Sequence, residues 1–349
     1  MEDWQEILHN SVISCTDLQQ HLQCDTSGIE EVITRYPMRI NPYFLSLIRS
    51  PQDPLWKQAV PDLRELTDTI CLPDPLAEEA LSPVPLLVHK YPDRVLFLVS
   101  NQCAMYCRFC TRKRMVGTSR MQISEESLQK GYDYIRRHPD IREVLLSGGD
   151  PLLLSDEKIA GILKSLRAIP SVEVIRIGSR VPSTLPMRIT EKLVAILKEF
   201  HPLYINTHFN HPNEITPEAT EACRRLADAG IPLGSQTVLL RGVNDHIDTI
   251  RTLMRALLRI RVKPYYLFQA DLTEGTNHFR TSTQAGISIM KGLYGHLSGM
   301  AVPTFALDAP GGKGKIPLTP QYILEQGENL TFANYLGELC TYPEAIDTF

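Results

Sequence analysis

The rhythm of hydrophobic and polar positions changes at Arg94. Upstream, in residues 1–90, apolar clusters are short and broken by prolines, as in SPQDPLW, CLPDPL and LSPVPLL. That pattern predicts short helices joined by loops. Downstream, brief apolar runs rich in β-branched residues alternate with longer amphipathic segments of helical period. The runs at 94–100, 142–147, 172–178, 203–209, 231–240, 263–270 and 302–308 predict strands. The segments at 125–139, 156–169, 189–200, 216–230, 246–260 and 281–297 predict helices. Alternation of this kind implies βαβ units and a parallel sheet.

Two architectures satisfy that order: a partial or full β/α barrel, and an open doubly wound sheet. Polar residues separate them. Ser147-Gly148-Gly149-Asp150 follows the second strand, Gly178-Ser179-Arg180 the third, and Asn206-Thr207-His208-Phe209-Asn210-His211 the fourth. Ser235 and Gln236 lie in the fifth, and Gln269-Ala270-Asp271 follows the sixth. In a barrel the carboxyl ends of the strands converge on one mouth, whereas an open sheet gathers ligands at one switch point. Polar chemistry at so many strand ends favours the barrel. The expected fold class is α/β, a partial (β/α)6 barrel of parallel strands. The expected division is 1–90 for a helical N-terminal extension, 91–300 for the barrel, and 301–349 for a last strand, a loop and a tail.

Composition acts mainly by exclusion. The 349 residues are 43% hydrophobic and 22% charged, as in ordinary globular proteins. Lys+Arg of 36 against Asp+Glu of 40 gives a net charge of −4. That balance carries no electrostatic footprint for nucleic acid or an anionic membrane. No run has the length of an apolar span, so neither nucleic acid nor a membrane is an expected partner. The opening MEDWQEILHN has no basic or apolar leader character, and a cytoplasmic location is expected.

Of the eight cysteines, Cys103, Cys107 and Cys110 form CxxxCxxC just after the first predicted strand. Thiolates so spaced can wrap one side of a metal centre. A [4Fe–4S] cluster with one open iron, a zinc site completed elsewhere, and three unrelated thiols are all compatible with the spacing. Ser147-Gly148-Gly149-Asp150-Pro151 is, taken alone, a common turn. Asp308-Ala-Pro-Gly311-Gly312-Lys313-Gly314-Lys315 follows the last strand. A Gly-rich loop can offer N–H groups to a phosphate, and a lysine there can bond covalently to a carbonyl cofactor. The spacing is not that of a P-loop.

CxxxCx-aromatic-C after a first strand, followed by GGDPL after a second, resembles the radical S-adenosylmethionine superfamily. The resemblance implies a [4Fe–4S] cluster on Cys103, Cys107 and Cys110, with S-adenosylmethionine chelated at the open iron. It puts Phe109 against the adenine region and gives the methionine ammonium to the Gly148, Gly149 and Asp150 segment. Further along come HKYPDR (89–94), IRIGSRVPSTLP (175–186), NTHFNHPNEI (206–215), LLRGVND (239–245), KPYYLFQADL (263–272) and SGMAVPTFALDAPGG (298–312). That series resembles the lysine 2,3-aminomutase family over roughly residues 85–325.

This second resemblance implies pyridoxal 5′-phosphate (PLP) held by Lys315. Lys313 stands where the family usually has glycine and is the competing anchor. Lys90, Tyr91 and Arg94 are candidates for the PLP phosphate. Arg112 matches the arginine that pairs with the substrate α-carboxylate. Asp271 and Asp308 match the two carboxylates that take the side-chain ammonium. His208 and Gln236, ahead of Asn206 and Ser235, match strand positions suited to the methionyl or phosphate groups.

The implied reaction is that of an isomerase acting on free L-lysine. A radical derived from S-adenosylmethionine starts a 1,2 amino migration that yields β-lysine, with a one-electron donor such as flavodoxin or ferredoxin. Glutamate 2,3-aminomutases resemble the family but replace the paired Asp, so Asp271 and Asp308 argue for lysine. Glutamate or another amino acid is the alternative, as is a role in elongation factor P β-lysylation. Longer members carry a C-terminal zinc site. Here Cys340 is the only late cysteine and His246 fills the second position. That zinc site is not expected, which leaves a homo-oligomer as an open expectation. Cys15, Cys24, Cys71, Cys223 and Cys340 then become ordinary reduced thiols.

Overall fold

A computed structural model describes residues 3–22 and 25–345, and Cys24 lies outside them. Nine strands form one sheet in chain order. β1 (Leu87–Tyr91) and β2 (Arg94–Ser100) are an antiparallel hairpin. From β2 the sheet runs parallel through β3 (Glu143–Gly148), β4 (Val174–Gly178), β5 (Leu203–Thr207), β6 (Leu233–Leu239), β7 (Lys263–Gln269) and β8 (Thr304–Asp308). β9 (Lys315–Pro317) folds back antiparallel on β8. All seven parallel strands coincide with runs expected to be strands.

Sequential order has no reversal, which excludes the doubly wound alternative. Right-handed crossovers between successive neighbours put the connecting helices on one face of the sheet. No ladder joins β9 to β1 among the described residues, so the sheet is not closed. Its edges nevertheless touch. The Lys315 N–H on β9 donates to the Tyr91 hydroxyl on β1 at 3.0 Å. Lys90 Nζ on β1 lies 3.4 Å from Asp308 Oδ1 on β8.

Five short helices precede the sheet: α1 (Asp3–His9), α2 (Cys15–Leu22), α3 (Ile29–Arg35), α4 (Pro42–Ser46) and α5 (Pro54–Ala59). The crossovers hold α6 (Glu125–Arg137), α7 (Asp156–Arg167), α8 (Val181–Thr184) and α9 (Glu191–Leu197), then α10 (Pro217–Asp228), α11 (Ile247–Arg259) and α12 (Thr283–Leu293). Ser124, Ser155, Thr190, Thr216 and Ser282 each accept a backbone N–H at the start of a crossover helix. Such caps satisfy donors that the helix cannot pair itself.

The core fills the space between helices and sheet. Phe97, Val144, Ile175, Ile205 and Leu267 from the strands meet Leu128, Ile162, Leu193, Leu226 and Leu253 from the helices. Each such side chain contributes ~1.5–3 kcal/mol on burial. Successive strand residues point to opposite faces, so the other face carries Ser147, Arg176, Asn206, Gln236, Tyr266 and Asp308. The strands therefore alternate instead of being apolar throughout. Stability comes from one face and leaves the other free for chemistry.

Three features differ from expectation. β1 lies in a segment read as helices and loops. β10 (Ile323–Gln326), β11 (Asn329–Ala333) and β12 (Leu339–Pro343) form a separate antiparallel sheet where only a tail was expected. These strands are short and mostly exposed, so no apolar run announces them. β8 and β9, assigned to the last segment, belong to the main sheet. Among the described residues no helix is long and apolar enough to cross a membrane.

Candidate active site

The loop after β2 carries the three cysteines, and the N-terminal helices clamp it. Ile40 bridges to Met105, and Met105 packs with Phe44, Leu55 and Trp56. Asn41 donates to the Ala104 carbonyl at 3.0 Å, and the Arg108 N–H donates to the Gln58 carbonyl at 2.9 Å. The buried Arg108 side chain donates to Glu65 at 2.9 and 2.5 Å, and Lys113 Nζ reaches Glu65 at 2.7 Å. The segment up to Glu65 thus braces the thiol loop from outside the sheet.

The thiols are near neighbours. Burial pushes the Cys103 thiol well above its ordinary range, and Asp150, Cys110 and Cys107 push the same way. Burial and Cys107 raise Cys110. Among the described residues, no three His, Cys, Asp or Glu side chains converge as ligands of a single ion do. One cation lies against these half-buried thiols. Arg180, just past β4, donates Nη1–H to Cys107 Sγ at 2.8 Å. Burial works against its charge, but Cys107 and Glu214 overcome this and hold the guanidinium firmly protonated. Glu214 Oε2 accepts from Arg180 Nη2 at 3.0 Å, and Gln58 Oε1 accepts from it at 2.6 Å. A half-buried soft-donor trio with a fixed cation fits an iron–sulfur cluster.

Around this loop lie the other expected cofactor residues. Phe109 packs with Leu240, Val243, Ala270 and Phe279, and its ring centroid is 5.5 Å from that of His208. Burial, then Arg180, lowers the His208 pKa to about 3, so the ring is neutral. Its Nε2 is 3.0 Å from Asn210 Oδ1. Gln236 shares a strand face with Val238, which packs on the Phe109 cluster, and so lies on the same side as His208. Asn206 is on that face too, buried, with an unpartnered Nδ2. Ser235 is not. It sits between the core residues Leu233 and Leu239, facing the helices, 3.4 Å from Thr237 Oγ1.

Gly148 and Gly149 are tight against protein backbone. Gly148 has φ +126°, and a Cβ there would fall 2.2 Å from the Ser100 carbonyl oxygen. At Gly149 it would fall 2.4 Å from the Gln102 carbonyl oxygen. Close approach is the reason for both glycines, but what approaches is the start of the thiol loop. The Asp150 carboxylate is equally committed: it accepts Ser179 Oγ–H at 2.7 Å and the N–H groups of Arg180, Val181 and Leu152 at 2.7, 3.1 and 3.1 Å. Burial raises its pKa despite these donors.

The remaining residues meet at the seam between β9 and β1. β8–β9 register sets Lys315 opposite Asp308. Lys315 Nζ lies 2.9 and 3.1 Å from the two carboxylate oxygens, and 5.1 Å from the Phe268 ring centroid. Asp271 joins them electrostatically. Burial pushes its carboxyl up to about 7, and Asp308 adds to this while Lys315 and Lys90 oppose. The two aspartates, past the end of β7 and at the end of β8, therefore lie close enough to feel one another's charge. Lys313 is exposed, so Lys315 alone of the two lysines enters the site.

Three N–H groups of the Gly-rich loop are spent within the protein. Ala309 donates to Gly314, Gly311 to Pro75, and Lys313 to Ala309. It docks on the 75–81 turn. Arg94 stacks on the Tyr91 ring at 3.9 Å and pairs with Asp93, while Lys90 and Tyr91 face the seam. Arg112 is paired within the protein: Nε and Nη2 donate to Glu78 at 2.7 and 2.6 Å. Sequence reasoning missed Glu78, which lies in a polar turn without a motif. It assigned no role to Arg180, whose strand-end position was its signal.

Comparison with known proteins follows the same division. Residues 97–254 match the family model of the Radical SAM superfamily, and residues 290–348 match that of Lysine-2,3-aminomutase. L-lysine 2,3-aminomutase of Clostridium subterminale is 49% identical, over 99% of this chain and 85% of its own. That of Fusobacterium nucleatum is 49% identical, over 98% and 82%. Glutamate 2,3-aminomutase of Clostridioides difficile is 47% identical, over 86% and 71%.

Proposed function

The chain belongs to the lysine 2,3-aminomutase family, and we propose that the β9–β1 seam is where it recognises lysine. The reaction is an isomerisation that moves the amino group of L-lysine from the α- to the β-carbon. The observation that carries the substrate reading is the convergence of Asp271 and Asp308 beside Lys315. Two neighbouring carboxylates repel unless a cation lies between them. The ε-ammonium of lysine is such a cation, whereas the side-chain carboxylate of glutamate would be repelled.

The cofactors are a [4Fe–4S] cluster, S-adenosylmethionine and PLP. When bound, they supply radical generation and an electron sink. Cys103, Cys107 and Cys110 would hold the cluster, with Phe109, Gly148, Gly149, Asp150, His208 and Gln236 around S-adenosylmethionine. Lys315 would hold PLP, with Lys90 and Tyr91 beside it. The chain's own residues bind, orient and shield. Asp308 Oδ2, 2.9 Å from Lys315 Nζ, fixes where that nitrogen lies at the seam. The substrate ammonium then replaces the Lys315 Nζ between the aspartates. Arg112 takes the α-carboxylate, its planar fork being suited to two parallel hydrogen bonds.

We read the sheet as a partial (β/α)6 barrel: six strand–helix units from β2 to α12, with β8 and β9 completing the curl until its edges touch. In this reading 1–90 clamps the thiol loop, 91–300 forms the barrel and 301–349 brings the PLP lysine. A flavodoxin- or ferredoxin-type donor in a reducing cytoplasm completes the scheme. The test is anaerobic incubation of reconstituted protein with lysine, S-adenosylmethionine and a reductant. β-Lysine is the expected product, and untouched lysine would overturn the reading.

A further inference from the structure

Arg112 is expected to bind a substrate carboxylate, yet a carboxylate of the protein already holds it. The pairing is side-on. Nε–H goes to Glu78 Oε2 and one Nη2–H to Glu78 Oε1, at 2.7 and 2.6 Å. A guanidinium has five N–H donors, so three remain. Nη1 has only long contacts, 3.4 Å to Ser147 Oγ and 3.5 Å to the Gly148 carbonyl. The end-on edge, one hydrogen from each Nη, is left for a second carboxylate.

Glu78 is aimed by its surroundings. Its side chain is 10% exposed. The preceding Ala77 has φ +52°, a left-handed conformation unfavourable for a residue with a Cβ. The turn also seats the Lys315 loop. Pro75 accepts the Gly311 N–H at 2.8 Å, and a Cβ on Gly312 would fall 2.5 Å from Leu81. One turn therefore touches both the carboxylate-binding arginine and the loop of the cofactor lysine.

We propose that Glu78 is a positioning residue for substrate binding: it fixes the Arg112 plane side-on so that the free edge receives the amino-acid α-carboxylate. This rests on the reading of Arg112 as the carboxylate site. Without Glu78 the guanidinium can rotate onto Ser147 and Gly148, and it must be ordered anew for each binding event. The rival arrangement is a latch, in which Glu78 occupies the site and substrate must expel it. The two predict opposite signs.

The experiment uses PLP-loaded enzyme without S-adenosylmethionine, with lysine titrated against the absorbance of bound PLP. Glu78→Gln keeps the shape and removes the charge. Positioning predicts lysine binding weakened by roughly tenfold, as for loss of a charge-assisted pair, with PLP content and melting temperature near wild type. Glu78→Asp should recover part of the loss. Glu78 is also among the groups that raise the Asp271 pKa, together with Asp308 and against Lys315 and Lys90. The acid limb of binding should therefore move to lower pH in Glu78→Gln. Tighter or unchanged binding in Glu78→Gln would overturn the proposal. So would a melting loss in Glu78→Gln together with wild-type affinity in Glu78→Asp and an unmoved acid limb. Arg112→Gln separates the two readings. If it also leaves affinity unchanged, the Arg112 assignment falls. If it weakens binding while Glu78→Gln does not, only the role of Glu78 falls.

Discussion

Lys315 Nζ lies 2.9 Å from Asp308 Oδ2, so the residue proposed to anchor the cofactor and a residue proposed to receive the substrate occupy one another. The pair satisfies two charges that are otherwise awkward at a half-buried seam. It also means that loading must separate them. Lys315 would leave Asp308 on holding PLP, and the substrate ammonium would then restore a cation to Asp308.

The first prediction concerns which lysine is bonded. Borohydride reduction of the PLP-loaded enzyme followed by peptide mapping should place the pyridoxyl group on Lys315. Lys315→Ala should abolish the label and Lys313→Ala should leave it in place. Lys313 is exposed, whereas Lys315 faces Asp308. A label on Lys313 in the wild-type enzyme would refute the assignment.

Asp271 provides a pH signature. Its carboxyl is pushed by burial from 3.8 up to about 7. In that interval the folded chain holds a proton that the unfolded chain has released, so stability falls as pH rises from 3.8 to about 7. Asp271→Asn removes this dependence. Its stability relative to wild type, from urea unfolding at several pH values, should climb across the window and level off above it. Lysine binding near pH 7 should release protons as Asp271 ionises beside the ammonium. Calorimetry in buffers of different ionisation enthalpy would detect that release in wild type and not in Asp271→Asn. A flat stability difference would show that Asp271 is ionised throughout.

The network behind the thiol loop predicts a stability loss. Glu214 is fully buried and accepts from Arg180, Ser183 and Gln58. It also accepts the N–H groups of Asn210 and His211. Glu214→Gln leaves Arg180 charged and uncompensated, a loss of about 3–5 kcal/mol for a broken buried pair. Denaturant unfolding of the apoprotein measures it. A change below ~1 kcal/mol would place the pair with surface salt bridges.

Legibility followed physical cause. The parallel strands were readable because each is a brief, largely apolar run set against a helix of clear period. Asp271, Asp308 and Lys315 were readable because motif order placed them at ends of elements that the fold draws together. Glu78 was not, because a carboxylate in a proline-rich turn has no period, and its partner Arg112 is 34 residues away. Ser235 was misjudged because its strand face depends on register, and a one-residue shift moves a side chain to the other face. β1 escaped notice because five residues that pair only at an edge need no apolar run. The demand for glycine at 148 and 149 was legible, but the approaching group is the Ser100–Gln102 backbone.

The acidic pair is the proposed selector of lysine over glutamate. One preparation of reconstituted enzyme, given lysine and glutamate in separate anaerobic reactions, measures this directly through the rate of β-amino acid formation from each. Rearrangement of lysine with little or none of glutamate is the predicted result, with that preference lost in the Asp271→Asn, Asp308→Asn double variant. Rearrangement of glutamate with lysine untouched would contradict the assignment of Asp271 and Asp308.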